Sequence, residues 1–301
     1  MSRFSAPISR LKAILLVTLI VAAGCTASLG GSGSDAERAE AVCRESNRAI
    51  GAIPRGDTIS ELALMAETLS VQTLDAAGKL DSLGKRPGEF GARFSTFVSD
   101  MRAAAASARQ AGVAARSQDL ASIEPAISRT RASYEAAQRS GSRVGLERCG
   151  RAGIELTQHM AETAPPALKA AYIAKADARC ALSNRELQPV LDNPARSFEE
   201  LAQQLDRQVA SDEKLVRDLR AIPPPPREQA VLDDIFAGMD QIGAKNGELR
   251  DAARAGNQER LNTVLRELNV LLATVLPKLD RFGFRDCGSA GTPREQGQPR
   301  P

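Results

Sequence analysis

Four cysteines constrain the fold of this chain more than any other feature. Beyond Cys25, the sequence holds Cys43, Cys149, Cys180 and Cys287, separated by 106, 31 and 107 residues. The flanks repeat as the spacings do. Cys43-Arg44-Glu45-Ser46-Asn47-Arg48 aligns with Cys180-Ala181-Leu182-Ser183-Asn184-Arg185. Gly145-Leu146-Glu147-Arg148-Cys149-Gly150 aligns with Gly283-Phe284-Arg285-Asp286-Cys287-Gly288. Between these ends, Lys79-Leu80 falls into similar register with Lys214-Leu215, and Met101 with Met239. The pattern reads as an internal duplication. Four cysteines allow three pairings, and the duplication selects one disulfide per repeat, Cys43–Cys149 and Cys180–Cys287. Closing loops of that length removes about 4–5 kcal/mol of denatured-state entropy in the simple chain picture.

Apolar residues recur at three- and four-residue spacing almost throughout, and no period-two run competes. The first repeat reads as helices over 36–53, from Ile59 to Leu83, from Phe90 onward, and from Gln118 to Cys149 with a bend at Pro125. The second reads as helices over 167–191, 197–221, 227–255 and 258–284. In the last of these, Leu261, Val264, Leu265, Leu268, Leu272, Val275 and Leu279 form the strongest amphipathic stripe of the chain. An up-down-up-down bundle brings the start of its first helix and the end of its fourth to the same end, as each disulfide requires. The expectation is all-α: two tandem disulfide-clasped four-helix bundles over 36–150 and 167–288. Residues 151–166, ending in Pro165-Pro166, connect them, with a helical stretch over 151–162 stiffening the pair. Residues 289–301 have the composition of a disordered tail.

The N-terminus gives an address. Arg3, Arg10 and Lys12 precede an apolar stretch from Ala13 to Ala23, too short for the roughly 20 residues that span a bilayer. Val21-Ala22-Ala23-Gly24-Cys25 then resembles the lipobox of bacterial lipoproteins, with Ala22 where Leu or Val is usual. The resemblance covers the first 25 residues. It implies removal of residues 1–24, a diacylglycerol thioether on Cys25 and attachment to the cell membrane on its extracytoplasmic face. Residues 26–35 are rich in Gly and Ser, so 25–35 reads as the lipidated cysteine and a flexible tether. Export places the remaining cysteines in an oxidising compartment, where disulfides persist.

The chemistry-bearing residues are few. The net charge of +3 is accounted for by the three basic residues of the signal, and aromatics are only 3% of the chain. A balanced, aromatic-poor body offers nucleic acid neither an electrostatic nor a stacking attraction. His159 is the only histidine and has no ligand-spaced partners, so it reads as a surface or packing residue, with no metal and no cofactor expected. Asp233, Asp234 and Asp240 share one helix but splay around it, which makes a solvated face. The duplicated triplets Ser46, Asn47, Arg48 and Ser183, Asn184, Arg185 could line paired polar pockets, or satisfy backbone at the bundle ends. Gly145 and Gly283 read as points of close helix approach, and Pro223–Pro226 as a rigid helix connector.

No nucleophile–base pair is legible, so the leading expectation is a non-enzymatic, membrane-anchored extracytoplasmic module that engages an envelope protein or polymer. The alternative is a lipoprotein that holds a small molecule or lipid within one bundle or between the two. Ala103–Ala106 would permit either close packing or a slot for such a ligand.

Overall fold

Helix boundaries follow from capping side chains and from glycines placed where the chain turns. The computed structural model describes residues 34–83 and 89–289. Eight helices follow in order: α1 (Asp35–Gly51), α2 (Ile59–Leu83), α3 (Glu89–Arg116), α4 (Leu120–Ser142), α5 (Arg151–Leu191), α6 (Phe198–Arg220), α7 (Gln229–Arg254) and α8 (Gln258–Phe282). Before α2, the Glu61 amide donates to Thr58 Oγ1 at 3.2 Å and the Thr58 amide donates to Glu61 Oε2 at 3.0 Å. This reciprocal box satisfies two amides that the first helical turn leaves unpaired. Before α6 the Glu200 amide donates to Ser197 Oγ at 3.1 Å, while the Glu200 carboxylate accepts from the Arg196 amide, one residue earlier, at 2.7 Å.

Gly145 does something other than the expected close approach, whereas Gly283 combines that approach with a turn. Both have positive φ, 82° and 113°, where the chain reverses after α4 and α8. A Cβ at Gly145 would meet nothing within 4 Å, so handedness alone demands glycine there. At Gly283 a Cβ would also lie 3.0 Å from Ile173 Cδ1.

Both disulfides are formed, with Cα–Cα distances of 4.9 Å for Cys43–Cys149 and 5.1 Å for Cys180–Cys287. The helices fall into two groups. In the first, α2, α3, α4 and α5 touch their neighbours around a closed ring, and α1 lies against α2 and α5. In the second, α5, α6, α7 and α8 touch in sequence, but α5 and α8 make no backbone contact, so the ring stays open. One core joins the groups through α5: Leu156, Met160, Leu168 and Tyr172 pack in the same cluster as Leu62 and Tyr134 on one side and Phe236 and Leu279 on the other.

Local details recur between the groups. Arg116 of α3 pairs with Glu67 of α2, and Arg254 of α7 with Asp206 of α6. Gln118 and Gly256 share a left-handed conformation, φ 53° and 62°. The Asp119 amide donates to the Ala114 carbonyl, and the Asn257 amide to that of Ala252. The caps and arginine pairs match Leu80 with Leu219. That corrects the sequence register, in which Leu80 is paired with Leu215, by one helical turn; the Lys-Leu dipeptide is a chance match.

The helix expected to begin at 167 starts instead at Arg151, and α5 runs unbroken for 41 residues with Pro165, Pro166 and Pro189 inside it. The fourth helix in turn stops at Ser142 rather than reaching Cys149. The reason α5 continues is its buried stripe. Leu156, Met160, Ala164, Leu168, Tyr172, Ala176 and Cys180 keep helical spacing straight across the proline pair and are all buried. A proline inside a helix costs about 3 kcal/mol, whereas each large apolar side chain buried returns about 1.5–3 kcal/mol. Packing therefore outweighs the prolines. Among the described residues no helix is long and apolar enough to cross a membrane.

This helix makes a direct prediction. Pro166 is exposed, so Pro166→Ala restores a backbone bond without disturbing the core. Stability is expected to rise by about 1–3 kcal/mol, read as a higher urea midpoint at unchanged slope. A neutral or destabilising result would mean that a boundary does fall there.

Candidate functional site

The residues around the disulfides build two similar ends. Asn47 Nδ2 donates to the Arg148 carbonyl at 2.6 Å, and Asn184 Nδ2 donates to the Asp286 carbonyl at 3.0 Å. Each asparagine thus ties the helix carrying the first cysteine to the residue just before the second. Asn47 Oδ1 also accepts from the Ala152 amide at 3.3 Å, in the first turn of α5. At the second end Asp177 takes over the turn, accepting from the amides of Arg285, Asp286 and Cys287 at 3.0 to 3.2 Å. Nothing in the local sequence pattern singles out Asp177.

The six triplet residues separate on inspection. Ser46 and Ser183 are buried. Arg48 and Arg185 are exposed. Ser183 shares a hydrogen bond with Ser211 at 3.0 Å and borders a crevice of about 10 Å³, which holds a water at most. Cys25 lies outside the described residues, as do the tether up to residue 33 and residues 290–301.

Larger differences between the groups appear at the matched faces of α4 and α8. On α4, Ile127, Thr130 and Tyr134 are 2%, 0% and 0% exposed. At the matching positions of α8 stand Leu265, which is 45% exposed, and Leu268 and Leu272, which are half-buried. The cover on α4 is α5. A Cβ on Gly153 would sit 2.3 Å from the Tyr134 ring, so the two helices meet as closely as a glycine allows. The Tyr134 hydroxyl, in turn, bonds the Thr73 hydroxyl of α2. Burial pushes the Tyr134 phenol far above the usual tyrosine range, and the Thr73 bond only partly offsets it.

On the α6 side, Asp212 stands where α2 has Thr73. Its carboxylate accepts from Asn246 Nδ2 at 2.8 Å and from Gln208 Nε2 at 2.7 Å. Burial raises its pKa above the ordinary 3.8, while the two amides act in the opposite direction. Asp212 also borders a groove of about 480 Å³ between α6 and α7, lined by Val216, Met239, Gly243, Gly247 and Arg250 among others. Cβ atoms on Gly243 and Gly247 would meet nothing within 4 Å. A second depression, about 770 Å³, crosses α3 in the first group, with Arg102, Arg109 and Arg129 around Leu74, Ala105, Ala106 and Val113. Of the alanine run, Ala104 and Ala105 are buried. Ser70 Oγ donates to the Ala105 carbonyl at 2.8 Å, which is close helix packing.

The remaining candidates have structural partners. Asp234 pairs with Lys278 at 2.7 Å and Asp240 with Arg220 at 2.6 Å, while Asp233 accepts from Gln229. Among the described residues no group of three or more His, Cys, Asp or Glu is placed to hold a metal ion. His159 is half-buried in α5, with Nε2 enclosed and no hydrogen-bond partner among the described residues. The Tyr172 hydroxyl is enclosed in the same way against Phe282 and Phe284, and burial raises its pKa to about 12. Pro225 is buried, and Arg227 just beyond it pairs with Glu124 of α4 at 3.6 Å, which seats the α6–α7 connector on the first group.

No protein-family model matches the chain, and no curated protein or solved structure is significantly similar to it.

Asp212 carries a pH signature of known sign. Its folded pKa lies above its unfolded one, so its favourable contribution is complete below pH 3.8 and lost as pH rises through the folded value. Asp212→Asn is therefore expected to be more stable than the parent at pH 7, with the gap closing as pH approaches 4. Urea titrations of both proteins at pH 4, 5.5 and 7 would read it. A gap that does not change with pH would show that the carboxylate is not strained by burial.

Proposed function

We propose that the protein is a lipoprotein anchored through Cys25 to the extracytoplasmic face of the cell membrane, and that it acts as a non-enzymatic helical interaction module. The observation that carries this reading is the pairing of all four downstream cysteines in a chain whose first 25 residues resemble a lipobox-bearing signal. Disulfides that close loops of 106 and 107 residues belong to an oxidising compartment, and a lipidated N-terminus belongs to a membrane. Within this reading the body is an internal duplication, two disulfide-clasped bundles that share α5. The matched caps, arginine pairs and asparagine clasps support that relation. Duplication followed by divergence leaves one half to hold the fold and frees the other to engage a protein or polymer of the envelope. A second reading, a small-molecule or lipid ligand, draws on the α6–α7 groove beside Asp212.

The anchor is tested by Cys25→Ser. The parent is expected to incorporate labelled palmitate and to sediment with membranes, and the variant to lose the label and become soluble after processing or remain as unprocessed precursor. Retention of label by the variant would sink the proposal.

A further inference from the structure

We infer that the uncovered face of α8 is a docking site for an amphipathic helix of a partner protein, which lies along α8 as the N-terminal half of α5 lies along α4. The inference rests on the duplication proposed above, and it names the site at which the interaction module engages its partner. Matched helices in the two groups differ in cover rather than in character. The face that α5 hides on α4 is left with Leu265 at 45% exposure on α8, beside half-buried Leu268 and Leu272. Val270, on the opposite side of the same helix, is 70% exposed and isolated. The face is therefore a contiguous aliphatic strip with a known kind of cover, a helix that presents Leu156 and Met160.

Residues 290–301 do not have the composition of such a cover. After Cys149 the sequence runs into α5, but residues 290–301, AGTPREQGQPRP, hold no Leu, Ile, Val, Met or Phe and three prolines. Such a segment has no apolar stripe to lay on α8.

The slot also specifies its occupant. Tyr134 in the first group is replaced by the smaller Leu272 in the second, so the position that must be Gly153 in α5 has room for a large aliphatic residue in the partner. At the position matching Thr73, which bonds Tyr134 in the first group, Asp212 is held by two amides rather than by a cation. A lysine or arginine of the partner complements it, so the expected helix is aliphatic on one face with a basic residue facing Asp212.

The test uses the full-length protein and a peptide of residues 151–164, stapled across the exposed Glu155 and Glu162 and carrying a fluorophore. Saturable binding is expected by anisotropy. Gly153→Leu in the peptide should tighten it about tenfold, because Leu272 leaves the space that Tyr134 fills. Leu265→Arg in the protein should weaken it at least about tenfold, whereas Val270→Arg should not. Leu265 is exposed enough for the variant to fold, and an unchanged circular-dichroism melt confirms that it has. No saturable binding, or equal loss with both arginine variants, would overturn the proposal. So would sedimentation showing a dimer that Leu265→Arg dissociates, because the occupant would then be a second copy of the chain. None of these results depends on Cys25, so they leave the anchor reading to its own test.

Discussion

One helix supplies an interior wall to both halves of this molecule, and its register sets everything packed on it. The buried stripe of α5 runs from Gly153 through Tyr172 to Leu187. Its first part closes the α2–α3–α4 ring, and its last part carries Cys180 into the second group. Two prolines at the centre remove backbone bonds from a helix that nevertheless stays whole, because apolar side chains on either side have no other place to be buried. The connector between the α6 and α7 helices adds ties at the same level. Lys169 pairs with Glu228, its ammonium also lying 4.4 Å above the Phe282 ring, and Lys175 donates to the Gln118 carbonyl. Ties of this kind, partly open to solvent, contribute little beside the shared core that joins the groups.

The two clasps solve one problem with different parts. A disulfide fixes two Cα atoms about 5 Å apart but leaves the backbone of the adjoining turn unsatisfied. In the first group Asn47 bonds both the Arg148 carbonyl and the Ala152 amide, so the clasp and the start of α5 become one unit. No helix follows in the described part of the second group. There Asn184 bonds the Asp286 carbonyl, and Asp177 gathers three amides with one carboxylate. A carboxylate offers two oxygens to amides that lie in a turn rather than in a helix.

Much of this was legible in the sequence, for identifiable reasons. Cysteine spacing and repeated flanks pointed to the disulfide pairing that is observed, because two similar loops are expected to close in the same way. Three- and four-residue periodicity located the helices apart from the first half of α5, and the starts of α2 and α6 lay close to their capping residues. Pro165-Pro166 misled because local propensity says nothing about the buried stripe that overrides it. The Lys-Leu dipeptides misled because a two-residue match is as easily satisfied one turn away. The asparagines were visible only as half of an alternative, since a side-chain bond to a carbonyl a hundred residues on has no local signature. Asp212 and the uncovered side of α8 were not visible at all. Amphipathicity reports that a helix has an apolar face, never what lies upon it.

That last distinction bears on how the two helical groups differ. Eleven residues of α2 are buried against three of α6, and nine of α4 against five of α8. Where the first group places Thr73 and the alanine Ala108 in its interior, the second places Asp212 and Asn246, bonded to one another. A carboxylate in a sealed core would be costly, but in an open group it keeps part of its hydration. Such a group has fewer buried contacts to lose when it opens, so local unfolding should begin there rather than in the ring around α5. The division follows α8, which among the described residues has no helix on the face that α5 covers on α4. Without such a helix, its leucines remain available, the α6 wall tolerates polar residues, and a surface remains that was interior in the other half.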